Sequence, residues 1–280
     1  MVHALRTVRT VRTLRTLRTL RTLRTPRAPW VASGDYARKQ IYCPSRVVAW
    51  SHGSRFRLAA RLASVAARGR LLDYGCGDGT FIALTHGTYS QAIGADVDAV
   101  QLEECRRRLG ALRGVKFIRT ADLDAAEYAG PYDAVTCMEV LEHCVDAERI
   151  RVLDDLHGLT SAAGRLIISV PIEVGPALLG KQFFRALASW RGQGDYRYRE
   201  KYTPGELLAA ALARPGLVRA EYNVDTLSGP MRYCGHKGFD WRILQREVGE
   251  RFRIEQRLFT PLGPLGATLN SQVWFVCRPR

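Results

Sequence analysis

Apolar runs of strand length alternating with amphipathic helical segments predict an α/β fold, a doubly wound parallel sheet with right-handed crossovers. Three observations carry this. The alternation recurs across residues 71–170. A glycine-rich turn, Gly75-Cys76-Gly77-Asp78-Gly79, follows the first apolar run directly. The length of 280 residues suits one generous domain, or one domain with an insertion, and can bury a substantial core.

The elements follow in order. Residues 46–68 are rich in Ala, Leu and Arg at helical spacing, and read as one or two helices that Gly69 ends. Residues 71–74 read as the first strand, and 79–84 open a helix. Residues 92–96 are a second strand, 100–109 a helix and 115–119 a third strand. Residues 132–138 are a fourth strand and 148–159 a helix. After a turn at Ala163-Gly164, residues 165–170 form a fifth strand. Residues 172–236 break the rhythm with four prolines, just after Pro171, and read as an inserted cap over the substrate with helices near 178–190 and 204–212. A helix near 241–248 follows. Strands at 252–259 and 272–277, joined by a Pro/Gly loop, read as a terminal antiparallel hairpin.

Composition narrows the classes. The net charge of +15 is largely local: residues 1–27 carry eight arginines and no acid, and without them the remainder is +7. An RNA or anionic-membrane partner therefore stays open without being indicated. Residues 6–25 repeat Arg-Thr-Val or Arg-Thr-Leu every three residues, matching neither helix nor strand period, so residues 1–29 read as a disordered tail. No apolar run reaches the ~18 residues of a membrane helix. Seven cysteines without a CxxC pair argue against a disulfide framework or zinc ribbon, and for reduced thiols in a cytoplasm.

The segment LLDYGCGDGT at 71–80 carries the chemistry. An apolar strand delivers the chain to the carboxyl edge of the sheet. Gly75 and Gly77 allow a tight turn that a ligand can approach closely. The next helix presents free N–H groups. Asp73 at the strand end would repel a pyrophosphate but can orient a cation. Asp96 ends a second strand 17 residues after Gly79, where it can accept from both hydroxyls of a ribose.

These motifs resemble the class I S-adenosylmethionine (SAM)-dependent methyltransferases. LLDYGCGDGTF is similar to their first motif, GADVD at 94–98 to the acidic second-strand motif, Ala121-Asp122-Leu123 to the loop after strand three, and PYDAVTCMEVLEHC to the fourth-strand motif. The resemblance covers roughly residues 70–170. It implies a Rossmann-like seven-stranded sheet ending in an antiparallel hairpin, with the N-terminal helices (30–68) as a substrate lid before a SAM-binding domain at 69–280. It also implies that Asp73, Gly75, Cys76 and Gly77 border the methionine moiety, and that Asp96 holds the ribose. Val97, Asp122 and Leu123 would meet the adenine, with Met138 and Glu139 on the sulfonium side.

Glu139-Val-Leu-Glu142-His143 follows the fourth strand. Two carboxylates and an imidazole this close can converge on an oxygen-seeking cation such as Mg²⁺, or serve as a general base. The E-x-x-E-H pattern resembles that of ubiquinone-pathway O-methyltransferases and of small-RNA 3′-terminal 2′-O-methyltransferases. The region around His236 is loosely similar to a further His motif of the RNA enzymes. The resemblance makes Glu139, Glu142, His143 and His236 candidate metal ligands, and His143 with Glu142 candidate catalytic residues. A purely structural His143, capping the next helix, stays open beside these. Tyr36, Lys39, His52 and Arg55 read chiefly as solvated helix faces. Tyr196 to Tyr202, alternating aromatic and basic, can grip a sugar or phosphate. The leading expectation is O-methylation of a small-molecule, glycan or lipid hydroxyl. The alternatives are an RNA methyltransferase assisted by Mg²⁺ and an inert SAM-binding protein.

Overall fold

The computed structural model describes residues 29–190, 201–214, 216–226 and 229–280. The repeat tail at 1–28 and the aromatic–basic run at 196–200 lie outside the described residues.

The strands are β1 (Arg70–Tyr74), β2 (Gln91–Asp96), β3 (Val115–Arg119), β4 (Tyr132–Met138), β5 (Thr160–Pro171), β6 (Glu221–Thr226), β7 (Gly229–Cys234), β8 (Phe252–Thr260) and β9 (Gln272–Pro279). Seven of them form one sheet in the order β3-β2-β1-β4-β5-β9-β8. β1 to β5 pair in parallel, whereas β9 runs antiparallel to both β5 and β8. The chain winds outward through β2 and β3, then returns to the other side of β1 with β4. The crevice between the carboxyl ends of β1 and β4 is where such a fold places its ligand.

The α-helices of six residues or more among the described residues are α1 (Arg46–Ala63), α2 (Thr80–Thr85), α3 (Ala99–Leu109), α4 (Asp146–Leu159), α5 (Ala177–Trp190), α6 (Pro204–Ala211) and α7 (Trp241–Arg251). Local chemistry sets several starts. Asp98 caps α3 by accepting from the N–H groups of Val100 and Gln101. Thr203 and Glu206 cap α6 reciprocally, with Pro204 in its first turn. Asp240 accepts from Arg242 N–H at the start of α7.

The central strands are apolar without alternation because both faces are covered. Leu72, Val135, Leu166 and Phe275 pack on one face with Trp241 and Leu244 of α7. Their neighbours Leu71, Ala134, Ile167 and Trp274 pack on the other face with Leu58, Leu62 and Phe81. All seven cysteines are free thiols, and six are buried.

Two elements differ from the sequence reading. β5 already starts at Thr160 and runs through Ala163-Gly164, where a turn is expected. A register shift opposite Tyr132 and Ala134 absorbs the irregularity. The region 172–236 holds, besides α5 and α6, the antiparallel hairpin β6–β7. Its polar alternation is short and weakly patterned, which hides it from periodicity. No described helix is long and apolar enough to cross a membrane.

Candidate active site

The loop behind β1 is held by backbone. The N–H groups of Gly75 and Cys76 both donate to Ala95 O of β2, at 2.7 and 3.1 Å. Gly77 N–H donates to Asp96 Oδ2 at 2.8 Å, and Asp98 N–H to Asp96 Oδ1 at 2.9 Å. Gly75, Gly77 and Gly79 have φ of 75°, 52° and 71°, the left-handed region open to glycine. Closeness matters too. A Cβ at Gly75 would overlap Val140 Cγ2, and one at Gly79 would press on Leu109 and Phe117.

Asp73 lies beneath this loop, 1% exposed. Its register partner across the crevice is Thr136 of β4, whose hydroxyl donates to Asp73 Oδ1 at 2.7 Å. Burial raises the Asp73 carboxyl to about 7, against the lowering effect of that hydrogen bond; the Asp96 and Asp78 carboxylates add to the rise.

At the end of β4 the chain turns sharply. Glu139 adopts φ 58°, unusual for a residue with a side chain. Its N–H donates to Ser169 O of β5. Its carboxylate pairs with Arg55 of α1 at 3.0 Å. Arg55 also donates to Tyr36 Oη at 3.1 Å, and Tyr36 Oη lies 2.7 Å from His52 Nδ1. The N-terminal segment is fastened to the glycine loop as well: Tyr36 N–H donates to Asp78 Oδ2 at 2.8 Å, and Arg108 donates to both Trp30 O and Asp78 O. Tyr36, His52 and Arg55 thus converge on the site, whereas Lys39 is exposed and paired with Asp35. Burial, with Arg55 and Lys181 nearby, pushes His52 down to about 3.

Glu142 is fully buried, and neither carboxylate oxygen has a hydrogen-bond partner. Burial, and then the Glu139 charge, push its carboxyl well up. His143 Nδ1 lies 3.1 Å from Cys234 O at the end of β7. A carbonyl can only accept, so Nδ1 carries the hydrogen and Nε2 keeps a lone pair. Burial, and then His236, push His143 down to about 4. Tyr233 stacks on the ring at 4.9 Å and 21°. His236 Nε2 faces His143 Nε2 at 3.3 Å, while its Nδ1 lies 3.3 Å from Glu173 Oε1. Two lone pairs cannot face each other at that distance without a proton or a cation between them. Glu142, His143 and His236 each bring one ligand atom within 4.8 Å of the others.

The remaining sequence candidates sit around these groups. Cys76 is buried and directs its thiol at Gly77 O. Val97 is 46% exposed beside Asp96. Asp122 closes a single 3₁₀ turn rather than capping a helix, and both its oxygens are taken by Arg119. Leu123 is buried in the core on the α7 face of the sheet, and Met138 packs partly buried against the core on the opposite face. Glu139 stands apart from the Glu142–His143–His236 group because Arg55 holds it. The sequence reading missed Glu173, Lys181 and Arg185. A lone acid after an apolar strand and two cations on a helix carry no pattern that singles them out.

A family model for the methyltransferase domain matches residues 50–218. A ubiquinone biosynthesis O-methyltransferase of Xanthomonas axonopodis pv. citri is 32% identical over 167 residues, covering 57% of this chain and 66% of that protein. One of the same name from Xanthomonas oryzae pv. oryzae is 30% identical over 184 residues, covering 61% of this chain and 69% of that protein. The crystal structure of the PH0226 protein from Pyrococcus horikoshii OT3 shares the fold at a TM-score of 0.54, with 14% identity, over 88% of this chain and 96% of that one. With this domain match and the strand order β3-β2-β1-β4-β5-β9-β8, the chain belongs to the class I SAM-dependent methyltransferases.

Proposed function

We propose that the protein transfers a methyl group from SAM to a hydroxyl of a small-molecule acceptor, and that Glu142, His143 and His236 ready that hydroxyl. The observation that carries this is Glu142: a carboxyl with both oxygens unpartnered in a buried position is costly unless it serves a ligand. It lies beside two imidazole nitrogens at the catalytic edge of the sheet. The relatives' names, which specify O-methyl transfer, support oxygen as the acceptor atom.

The donor half fits SAM. Asp73 and the Gly75–Gly77 backbone would border the methionine part, and Asp96 the ribose. A Cβ at Gly77 would meet only Gln101, at 3.5 Å, so the loop leaves room for a close approach. Val97 offers an apolar surface to the adenine. Asp122 would reach the adenine only after releasing Arg119. When bound, SAM supplies a methyl on a sulfonium centre, displaced in line by the acceptor oxygen. Holding the two in near-attack geometry supplies much of the rate.

The acceptor half fits a divalent cation. Two imidazoles and one carboxylate suit zinc, manganese, iron or cobalt better than Mg²⁺, which favours oxygen ligands. A cation there would act as a Lewis acid on the hydroxyl. Glu142, His143 and His236 would hold it. With no cation bound, the same His143 Nε2 lone pair would instead take the hydroxyl proton. Arg55 fixes Glu139 at the wall between the two halves. The RNA alternative rests on the Glu139-x-x-Glu142-His143 run, His236 and the basic charge, and is weakened because that charge concentrates in residues 1–27, outside the described residues.

The test is S-adenosylhomocysteine release on a catechol panel, with product analysis, after EDTA treatment and metal replacement. We expect O-methylated product, lost with EDTA and restored better by Mn²⁺, Co²⁺ or Zn²⁺ than by Mg²⁺. N-methylated product, or full turnover in Glu142→Ala, would sink the reading.

A further inference from the structure

Glu173 follows β5 between Ile172 and Val174, and all three are buried. A carboxylate at such a site needs strong partners. Its Oε1 has three: Lys181 Nζ at 2.5 Å, Arg185 at 3.4 Å and His236 Nδ1 at 3.3 Å. Lys181 and Arg185 sit one turn apart on α5, so one helix face delivers both cations. Together with His236 they outweigh the upward push of burial and hold the Glu173 carboxyl at about 2.

We infer that Glu173 is a positioning residue: it fixes His236 as the Nδ1–H tautomer and so leaves the Nε2 lone pair facing His143 and Glu142. A carboxylate offers only lone pairs, so the nitrogen facing it carries the hydrogen. The other nitrogen is then free to ligate or to accept a proton. Lys181 and Arg185 hold Glu173 in turn, so the seating of α5 on the sheet reaches His236 through this carboxylate. The same logic orients His143 through Cys234 O. The two rings are thus set from opposite sides, one by a backbone carbonyl and one by a charged side chain. A carboxylate behind a ligating histidine raises ligand strength, and its loss costs about 10–100-fold in metal affinity. That part of the inference rests on the metal-assisted reading above. The Nδ1–H that faces Glu173 does not; without a cation, the Nε2 atoms of His236 and His143 share one proton across their 3.3 Å separation.

The experiment is nitrogen-15 NMR of the histidine side chains in the full chain, with the His236 signals assigned by their loss in His236→Gln. We expect a pyrrole-type Nδ1 in the unsubstituted protein, shifting to mixed tautomers in Glu173→Gln and Glu173→Ala. Co²⁺ titration of the same samples should show affinity falling about 10–100-fold in Glu173→Gln, with the SAM Kd unchanged. A pyridine-type Nδ1 in the unsubstituted protein, or an unaltered His236 spectrum in both variants, overturns the inference. If the unsubstituted protein binds no Co²⁺, the metal reading fails while the NMR arm still decides Glu173. Loss of SAM binding alongside Co²⁺ binding in Glu173→Gln makes Glu173 a structural counter-ion, and also overturns the positioning role.

Discussion

At the end of β1 the chain builds its site from backbone: glycine turns, the Gly75 and Cys76 N–H groups on Ala95 O, and a carboxylate at Asp96 that accepts from the N–H groups of Gly77 and Asp98. At the end of β4 it builds from side chains, and leaves polar atoms without partners. The first arrangement leaves only Thr80 Oγ1 unpartnered among its described buried side-chain atoms. The second is held open by Arg55, Cys234 O and Glu173 acting from outside. A donor common to a whole family can be met by a fixed backbone cradle. An acceptor particular to one protein calls for adjustable side chains, and these carry the cost of standing unpaired.

If the halves are separable, damage to one should spare the other. The largest effect is expected at the acceptor half: Glu142→Ala or His143→Ala should lower kcat/KM by about 10²–10⁴, with the SAM Kd within about twofold by calorimetry. Asp96→Ala should weaken SAM binding by about 1.5–3 kcal/mol for each charge-assisted hydrogen bond lost. Co²⁺ affinity should not change in that variant. Equal loss of both ligands would break the division.

Gly75→Ala tests where the halves touch. The new methyl would overlap Val140, between Glu139 and Glu142, at a φ of 75°. We expect about 1–3 kcal/mol of destabilisation in thermal or denaturant unfolding, with both SAM affinity and turnover falling. Unchanged turnover would show that the contact is slack.

The smallest effect sharpens the donor half. Asp73 in the folded chain titrates near 7, above the ordinary 3.8. Its contribution to the stability of the ligand-free fold is therefore full below about pH 4 and is lost as pH rises through 7. A cationic ligand prefers the ionised form, so SAM affinity should move the other way. It should rise with pH across the same window by at most about tenfold per unit. Calorimetry against pH should show this slope, and Asp73→Asn should flatten it.

The same contrast explains what could be read from the sequence. The loop proposed to take the donor was legible because its parts follow one another: an apolar strand, spaced glycines, then an acid at the end of the next strand. The parallel sheet followed from its apolar runs, whereas the seven-stranded sheet came from the family resemblance and the terminal hairpin from that and from the closeness of the last two strands, since β8 is largely polar and exposed. Glu142 and His143 stood out only as two members of a short acidic–imidazole run. His236 was reachable only through family resemblance, because 93 residues separate it from its partner ring. Glu173 left no local trace, since its significance comes from α5 and from the loop after β7. The same holds for Arg55: a helix face that reads as solvated is turned inward once α1 packs over β4 and β5.

The left-handed backbone at Glu139 has a consequence for evolution in the laboratory. Glycine would take φ 58° without the strain of about 1 kcal/mol or more that a side chain meets there. Because Glu139 also pairs with Arg55, a library screened for heat resistance alone should enrich Glu139→Gly only together with loss of the Arg55 charge, as in Arg55→Met, while the same library screened for turnover should reject both. The residue marks a point where selection for durability and selection for chemistry pull the chain in opposite directions.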